Sequence, residues 1–317
     1  MIDRSRISKI LVVSLTNIGD CIITLPVLAV LRAEFPEAQM DLICGKAALT
    51  LFRGSSDLGK VFVYDKKWSL RQKWAWVREI AKGNYDLVVD LRHTVIPILV
   101  GACYRTRLIR NTKLEPLSVR ERHLALLSDL GLDITKRRPI SLFSAEDEER
   151  MRIRTGGNRY GIIAPGANSS TKRWTVEGFE TIAHYLKDEA GLNVVLVGGP
   201  NENWSKISGL GILDLTGKTS LRELAALIRG AELVVANDSA IMQLAQELDV
   251  RTVSVFGPTN PWKYTKQNER VKVIRLDLEC SPCESAQCRI ERRKCLDDLS
   301  PERVKEAIQT LTLSSPF

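Results

Sequence analysis

The sequence predicts an α/β protein of two domains, each a parallel sheet covered by helices on both faces, the two facing each other across a cleft. Three observations predict it. Short apolar runs alternate with longer segments of helical periodicity, the pattern of a parallel sheet fed by crossover helices. The alternation stops at a charged and then Gly-rich stretch, 144–159, and starts again at Tyr160. The 317 residues also give room for two domains of ordinary size.

In the first half, 10–14 reads as a strand and 24–34 as a helix with Leu25, Leu28, Ala29 and Leu31 on one face, closed before Pro36. A strand at 40–44, a helix at 70–82 stopped by Gly83-Asn84, a strand at 87–91 and a helix at 120–130 closed by Gly131 follow. The second half repeats the pattern: strand 161–164, helix 176–189 ending at Gly191, strand 194–197 and a short run at 213–215. A helix at 220–228 capped by Ser220, strand 233–236, a helix from Ser239 and strand 252–256 complete it. Ser300, Pro301 and Glu302 mark the start of a last helix, 300–312. The stretch 144–159 reads as the interdomain linker.

Composition narrows the class. Hydrophobic residues make up 44% and charged residues 26%, as in a globular chain with a sizeable core. No uncharged apolar run reaches the roughly 18 residues that a membrane span needs. The charged start leads into Ile10-Leu11-Val12-Val13, too short for a signal-peptide core, so a cytoplasmic protein is expected. Lys and Arg number 46 against 38 Asp and Glu, giving +8. Part of the excess is clustered at Arg105, Arg107, Arg110 and Lys113, at Lys136-Arg137-Arg138 and at Arg292-Arg293-Lys294. Such clusters suit an anionic membrane, an acidic substrate or nucleic acid, and equally a solvated surface. No nucleic-acid-binding motif accompanies them, so no nucleic-acid partner is expected.

Several strand ends carry chemistry. The first runs into Ser14-Leu15-Thr16-Asn17-Ile18-Gly19-Asp20, with one glycine where a dinucleotide fingerprint needs three. Asp20 falls at a helix start beyond the carboxyl end of a strand, where open α/β sheets place their sites; it suits a general base or a helix cap. Arg92-His93 follow another strand and suit carboxylates or phosphates of an acceptor. In the second half, Ala164 to Trp174 is a polar loop with Lys172-Arg173, suited to a diphosphate. Gly198-Gly199-Pro200-Asn201-Glu202 sits at the next strand end. Asn237-Asp238-Ser239 opens a helix whose N-terminal N–H groups attract anions.

These motifs carry a resemblance. Asn17-Ile18-Gly19-Asp20 followed by Thr24-Leu25-Pro26, Lys172-Arg173-Trp174, Asn237-Asp238-Ser239, and Phe256-Gly257-Pro258-Thr259-Asn260-Pro261 occur in the order found in glycosyltransferase family 9, the lipopolysaccharide heptosyltransferases. The chain resembles that family over nearly its whole length. The resemblance implies a GT-B fold of two Rossmann-like domains: 1–150 for the acceptor, 158–299 for the nucleotide sugar, and 300–317 as a C-terminal helix and tail. It implies ADP-L-glycero-D-manno-heptose as donor, Kdo–lipid A or a growing inner core as acceptor, and work at the inner face of the inner membrane. Asp20 matches the family's catalytic base and Lys172 the lysine at the donor phosphates. Asp238, Ser239, Ala240 and Ile241 match the stretch that holds diphosphate and sugar, while Asn168 and Glu202 fall near the adenosine. An inverting transfer with no cofactor beyond the donor is implied, the lysine and the helix N-terminus standing where a divalent metal would otherwise act.

The chain departs from the family in three places. Ala240 stands where glycine is usual, Gln243 where histidine is usual, and Thr175 where proline follows the tryptophan. Ala240 and Gln243 leave open another nucleotide sugar, or a nucleotide-sugar-binding protein without turnover. Cys280, Cys283, Cys288 and Cys295 form C-x2-C-x4-C-x6-C, open to a structural metal or to reduced or pairing thiols. Cys21, Cys44 and Cys103 read as core, and His123 and His184 as structural. Trp68, Trp74 and Trp76 interleaved with Arg71, Lys73 and Arg78 suit either a membrane interface or packing in core and cleft.

Overall fold

The computed structural model of the chain describes residues 2–109, 114, 116–209, 211–290 and 292–313, with side chains described through residue 311. Arg110 and Lys113 of the expected basic clusters lie outside the described residues. The chain forms two compact units, Met1–Leu142 and Phe143–Phe317.

Unit 1 runs β1 (Lys9–Val13), α1 (Ile18–Ile23), α2 (Leu25–Glu34), β2 (Gln39–Gly45), α3 (Leu49–Phe52), β3 (Val61–Tyr64), α4 (Leu70–Ala81), β4 (Leu87–Asp90), α5 (Ile96–Val100), β5 (Tyr104–Arg105) and α6 (Val119–Ser128). Its five strands lie in the order β3-β2-β1-β4-β5, all parallel. The chain lays β1, β2 and β3 outward on one side, then returns to place β4 on the other edge of β1. The order therefore reverses between β1 and β4, where Val13 is in register with Ile43 on one side and Asp90 on the other. The central strands are continuous apolar runs because both faces are covered: Leu11, Val12, Val13, Val88 and Val89 are buried.

Unit 2 runs α7 (Ala145–Arg154), β6 (Tyr160–Ala164), α8 (Val176–His184), β7 (Asn193–Leu196), α9 (Ser205–Ser208), β8 (Leu213–Asp214), α10 (Leu221–Arg229), β9 (Leu233–Asn237), α11 (Ala240–Glu247), β10 (Thr252–Val255), β11 (Val271–Ile274), α12 (Lys294–Asp297) and α13 (Pro301–Leu313). Six parallel strands lie in the order β11-β10-β9-β6-β7-β8, so the reversal falls between β6 and β9. The core gathers Ile163, Leu196, Val235 and Val255 from the sheet with Phe179, Ile182 and Leu186 from the α8 segment and Ile308 and Leu311 from α13.

The structure amends several expectations. The expected linker 144–159 begins with a helix. Ser144 and Asp147 form a capping box, and α7 packs on α10 through Asp147 and Arg222, 3.1 Å apart. The chain divides instead at 142/143, and the 301–313 helix packs on α8 and β11 as part of unit 2. A separate helix, α1, precedes the expected one, with Thr24 at the junction donating its hydroxyl to the Cys21 carbonyl. Strands β3 and β11 join at the sheet edges; only four residues long and half-buried, they carry a weak periodic signal. The 176–189 helix ends at His184 and continues as a π-helical turn, Tyr185–Glu189. Cys21 and Cys44 are buried, but Cys103 is exposed, in the turn between α5 and β5, where no layer covers it. Among the described residues no helix is long and apolar enough to cross a membrane.

Candidate active site

Ligands of open α/β sheets bind beyond the carboxyl ends of the strands, where strand order reverses. Each unit has one such point, and the residues singled out in the sequence gather at both.

In unit 2 the reversal brings the loop after β6 beside the turn after β9. Lys172 Nζ lies 2.6 Å from Asp238 Oδ2, with the Asp238 side chain 9% exposed and that of Lys172 33%. Asn237, fully buried at the end of β9, ties the same two segments: Trp174 N donates to its Oδ1 at 3.0 Å, and its Nδ2 donates to the Pro165 carbonyl at 2.6 Å. Trp174 anchors the loop, its indole N–H donating to the Leu299 carbonyl at 3.0 Å and its ring packing edge-on against Phe179. Gly178 allows this, since a Cβ there would run into the indole. Thr175 caps α8 by accepting from Gly178 N at 3.1 Å.

The turn at 238–241 is more specific than its sequence suggested. The Asp238 N–H donates to the Val255 carbonyl, and its carboxylate is paired with Lys172. Ser239 is the N-cap of α11, its hydroxyl accepting from Met242 N at 3.4 Å. The N–H groups of the first two helical residues, Ala240 and Ile241, have no intrahelical acceptor. Both residues are half-buried, whereas Gln243 is buried and its Oε1 has no hydrogen-bond partner.

Glu202, after β7, is held against the β6 loop. Its Oε2 accepts from Gly199 N at 3.1 Å and from the Trp204 indole at 3.3 Å. A Cβ on Gly166 or Gly198 would collide with this carboxylate, so the glycines create its seat. Among classical dinucleotide folds, a carboxylate past the second strand takes a ribose hydroxyl. Asn168 is exposed in the loop.

In unit 1 the reversal places Asp20 after β1 and Arg92-His93 after β4. Asp20 sits in the first turn of α1, half-buried, and accepts from Asn17 Nδ2 at 2.9 Å. Gly45 at the end of β2 lets this loop come close; a Cβ there would overlap the Thr16 backbone. Burial pushes the neighbouring Cys21 thiol up to about 11, with Asp20 raising and Arg92 lowering it. Burial likewise pushes Cys44 up to about 12. Asp90, which the sequence did not single out, shapes the second loop. It is buried and accepts from Arg92 N at 2.8 Å, Thr94 N at 2.6 Å and Thr94 Oγ1 at 2.7 Å. His93 takes a left-handed φ of 55°, and its Nδ1 lies 3.1 Å from the Arg107 carbonyl. Arg92 is stacked over the Tyr64 ring, 4.5 Å from its centroid. The signals for Asp90 and Asn237 were polar residues ending otherwise apolar strands.

Several basic clusters are engaged within the chain. Arg138 reaches Asp57, Lys136 reaches Asp133 and Arg107 reaches Asp129. Arg292 pairs with Asp298, while Arg293 bonds Asp297 and the Ser170 and Arg173 carbonyls. The four clustered cysteines line one cavity of about 280 Å³ with Thr171 and Pro258, and all are free thiols. Among the described residues no group of three or more His, Cys, Asp or Glu side chains is arranged to hold a metal ion.

The architecture is shared with solved structures. A glycosyltransferase family 9 protein of Veillonella parvula superposes with a TM-score of 0.78 at 23% identity, covering 97% of this chain and 98% of that one. ADP-heptose lipopolysaccharide heptosyltransferase II of Escherichia coli superposes with a TM-score of 0.75 at 21% identity, covering 98% and 100%. In sequence the chain is similar to lipooligosaccharide heptosyltransferase 2 of Campylobacter jejuni, 26% identical over 318 residues that cover 95% of this chain and 97% of that protein. Residues 100–294, more than half of the chain, match the family model described as glycosyltransferase family 9 (heptosyltransferase). With its two-sheet GT-B architecture and that match, the chain belongs to glycosyltransferase family 9, the heptosyltransferases, and is a transferase.

Proposed function

We propose that this enzyme moves a heptose from ADP-L-glycero-D-manno-heptose to the inner core of lipopolysaccharide, with inversion at the anomeric carbon. Unit 2 takes the donor and unit 1 the acceptor. The observation that carries the reading is the Lys172–Asp238 pair beside the Ala240 and Ile241 N–H groups at the unit 2 reversal. A cation and a helix N-terminus at one strand end suit a diphosphate. The names of the similar proteins supply the sugar and the acceptor class.

In this reading the acceptor hydroxyl attacks the anomeric carbon and gives its proton to Asp20. The new glycosidic C–O bond forms as the C–O bond to the β-phosphate breaks. ADP leaves with the bonding pair, its charge met by Lys172 and the α11 N-terminus, which need no reorganisation at the moment of reaction. Glu202 Oε1 and Asn168 are available to the adenosine, and Arg92 and His93 to anionic groups of the acceptor. A glycolipid acceptor places the enzyme at the inner face of the inner membrane.

The methyl of Ala240 beside the phosphate seat, and Gln243 with its unpartnered Oε1, favour a second reading in which another nucleotide sugar is the donor or turnover is absent. A panel of ADP- and UDP-sugars, scored for thermal shift and for turnover with a core acceptor, separates the three. Transfer from ADP-heptose alone supports the first reading. Turnover with another sugar supports the second, and a shift without turnover leaves a binding protein.

A further inference from the structure

The apolar side chains around α4 and α5 fall into two sets. Tyr64, Trp68 and Trp76 pack against one another with ring centroids 5.6, 5.7 and 6.4 Å apart. Trp76 also packs against the unit 1 core that holds Ile80, Ile96 and Val100, which joins the two helices. The second set faces water. Leu70 and Trp74, one turn apart on α4, are 78% and 56% exposed. Val95, the α5 N-cap, is 62% exposed, and Ile98 and Leu99, one turn on, are 50% and 39% exposed. Half of the ten large apolar side chains exposed among the described residues thus lie on two helices in contact. Such a concentration marks an interaction surface.

The charge beside it says what covers it. Residues 65–82 carry six Lys and Arg against two Asp and Glu. Of the two acids, Glu79 is paired with Lys82 at 2.6 Å, and Asp65 accepts from the Lys67 backbone N–H. Lys66, Lys67, Arg71 and Arg78 are exposed. A second copy of the same face would set like charges against each other, since a two-fold interface is self-complementary. An anionic bilayer matches both halves of the surface. Trp and Leu enter the headgroup boundary, and Lys and Arg meet lipid phosphates.

We propose that the α4–α5 face of unit 1 docks on an anionic lipid bilayer, with Leu70, Trp74 and Ile98 entering the interface and Arg71 and Arg78 meeting lipid phosphates. The choice of a bilayer over an acidic protein rests on the functional reading above, in which the acceptor is a membrane glycolipid.

The test is sedimentation of the full chain with vesicles of phosphatidylglycerol and phosphatidylethanolamine, compared with phosphatidylcholine alone. Partition into the anionic vesicles should be at least about tenfold stronger and should weaken as salt rises. The double variant L70E/W74E changes only exposed side chains. It should lose about tenfold or more in partition while keeping its melting temperature and its transfer rate to a deacylated, water-soluble core acceptor. Brominated lipid should quench the part of the fluorescence that Trp74→Phe removes. The proposal is overturned if the anionic vesicles bind no better than phosphatidylcholine, or if the double variant partitions like the parent. It is also overturned if light scattering shows the parent to be a dimer that L70E/W74E dissociates. A parent chain that binds vesicles through this face but transfers no sugar would sink the functional reading and leave the surface standing.

Discussion

The two reversal points share a topology and differ in how their charged side chains are held. In unit 2 the loops are bonded to each other: Lys172 to Asp238, Trp174 N to Asn237 and Asn237 to Pro165 join the β6 and β9 ends. In unit 1 the carboxylates of Asp20 and Asp90 are each bonded within their own loop. Asp20 takes Asn17 three residues before it, and Asp90 takes Arg92 and Thr94. Buried cross-links fix a geometry before any ligand arrives, which suits an invariant group such as a nucleotide diphosphate. In the proposed mechanism, a carboxylate held only within its own loop at a half-buried helix start keeps the freedom to meet an acceptor hydroxyl.

The largest effects should fall on turnover. Asp20→Asn should lower kcat by about 10²–10⁴ with little change in donor affinity, because in the proposed mechanism the carboxylate acts only on the acceptor proton. Lys172→Met should lower kcat/KM by a comparable factor and weaken ADP binding as well. Steady-state kinetics with calorimetry for ADP checks both. Equal losses in ADP binding from the two substitutions would erase the division of labour between the units.

The next effect is on unit 1 alone. Burial, aided by Arg122, His93 and Arg120, pushes His123 from 6.5 down to about 4. The unfolded chain therefore binds the extra proton first. Unit 1 should lose stability as pH falls from 6.5 toward 4, with the loss complete below that window. A depression of this size is worth about 3 kcal/mol. Hydrogen exchange read separately in the two units should show the loss in unit 1, and His123→Gln should flatten it. In unit 2, Asp147 is pushed up by burial but held below the usual range by Ser144 and Arg222. Its contribution is present above the ordinary carboxylate range and fades only at lower pH.

Smaller still is Asn237→Ala, which strands the Trp174 N–H and the Pro165 carbonyl and should cost about 2 kcal/mol in denaturant midpoint terms. It should also weaken ADP binding by loosening the lysine loop, whereas the matching change Asp90→Ala should leave ADP binding alone. Ala240→Gly should have the smallest effect, a few-fold tighter ADP or ADP-sugar binding. No change there would show that the methyl does not crowd the phosphates.

Much of this was legible in the chain. The buried strands centred on 10–13, 87–89, 161–164 and 233–236 are apolar runs, and the loops after them carry Asp20, Arg92, Lys172 and Asp238. The edge strands β3 and β11 were not, because half-covered four-residue strands lack both a long run and clean alternation. Helix α7 is mostly charged and reads as a linker until its partner α10 is placed beside it. The tryptophans at 68, 74 and 76 resisted assignment because one segment holds both kinds: two pack together and one stands in water.

The sequence by itself determined the fold class and the family, since periodicity and local motifs are properties of neighbouring residues. Only the tertiary structure decided which residues meet. Lys172 and Asp238 are 66 positions apart, and their ion pair exists because strand order reverses between β6 and β9. That reversal also engages the Asp238 carboxylate with the lysine beside the start of α11, where the Ala240 and Ile241 N–H groups have no intrahelical acceptor. No local pattern encodes such an outcome, because it depends on long-range strand pairing.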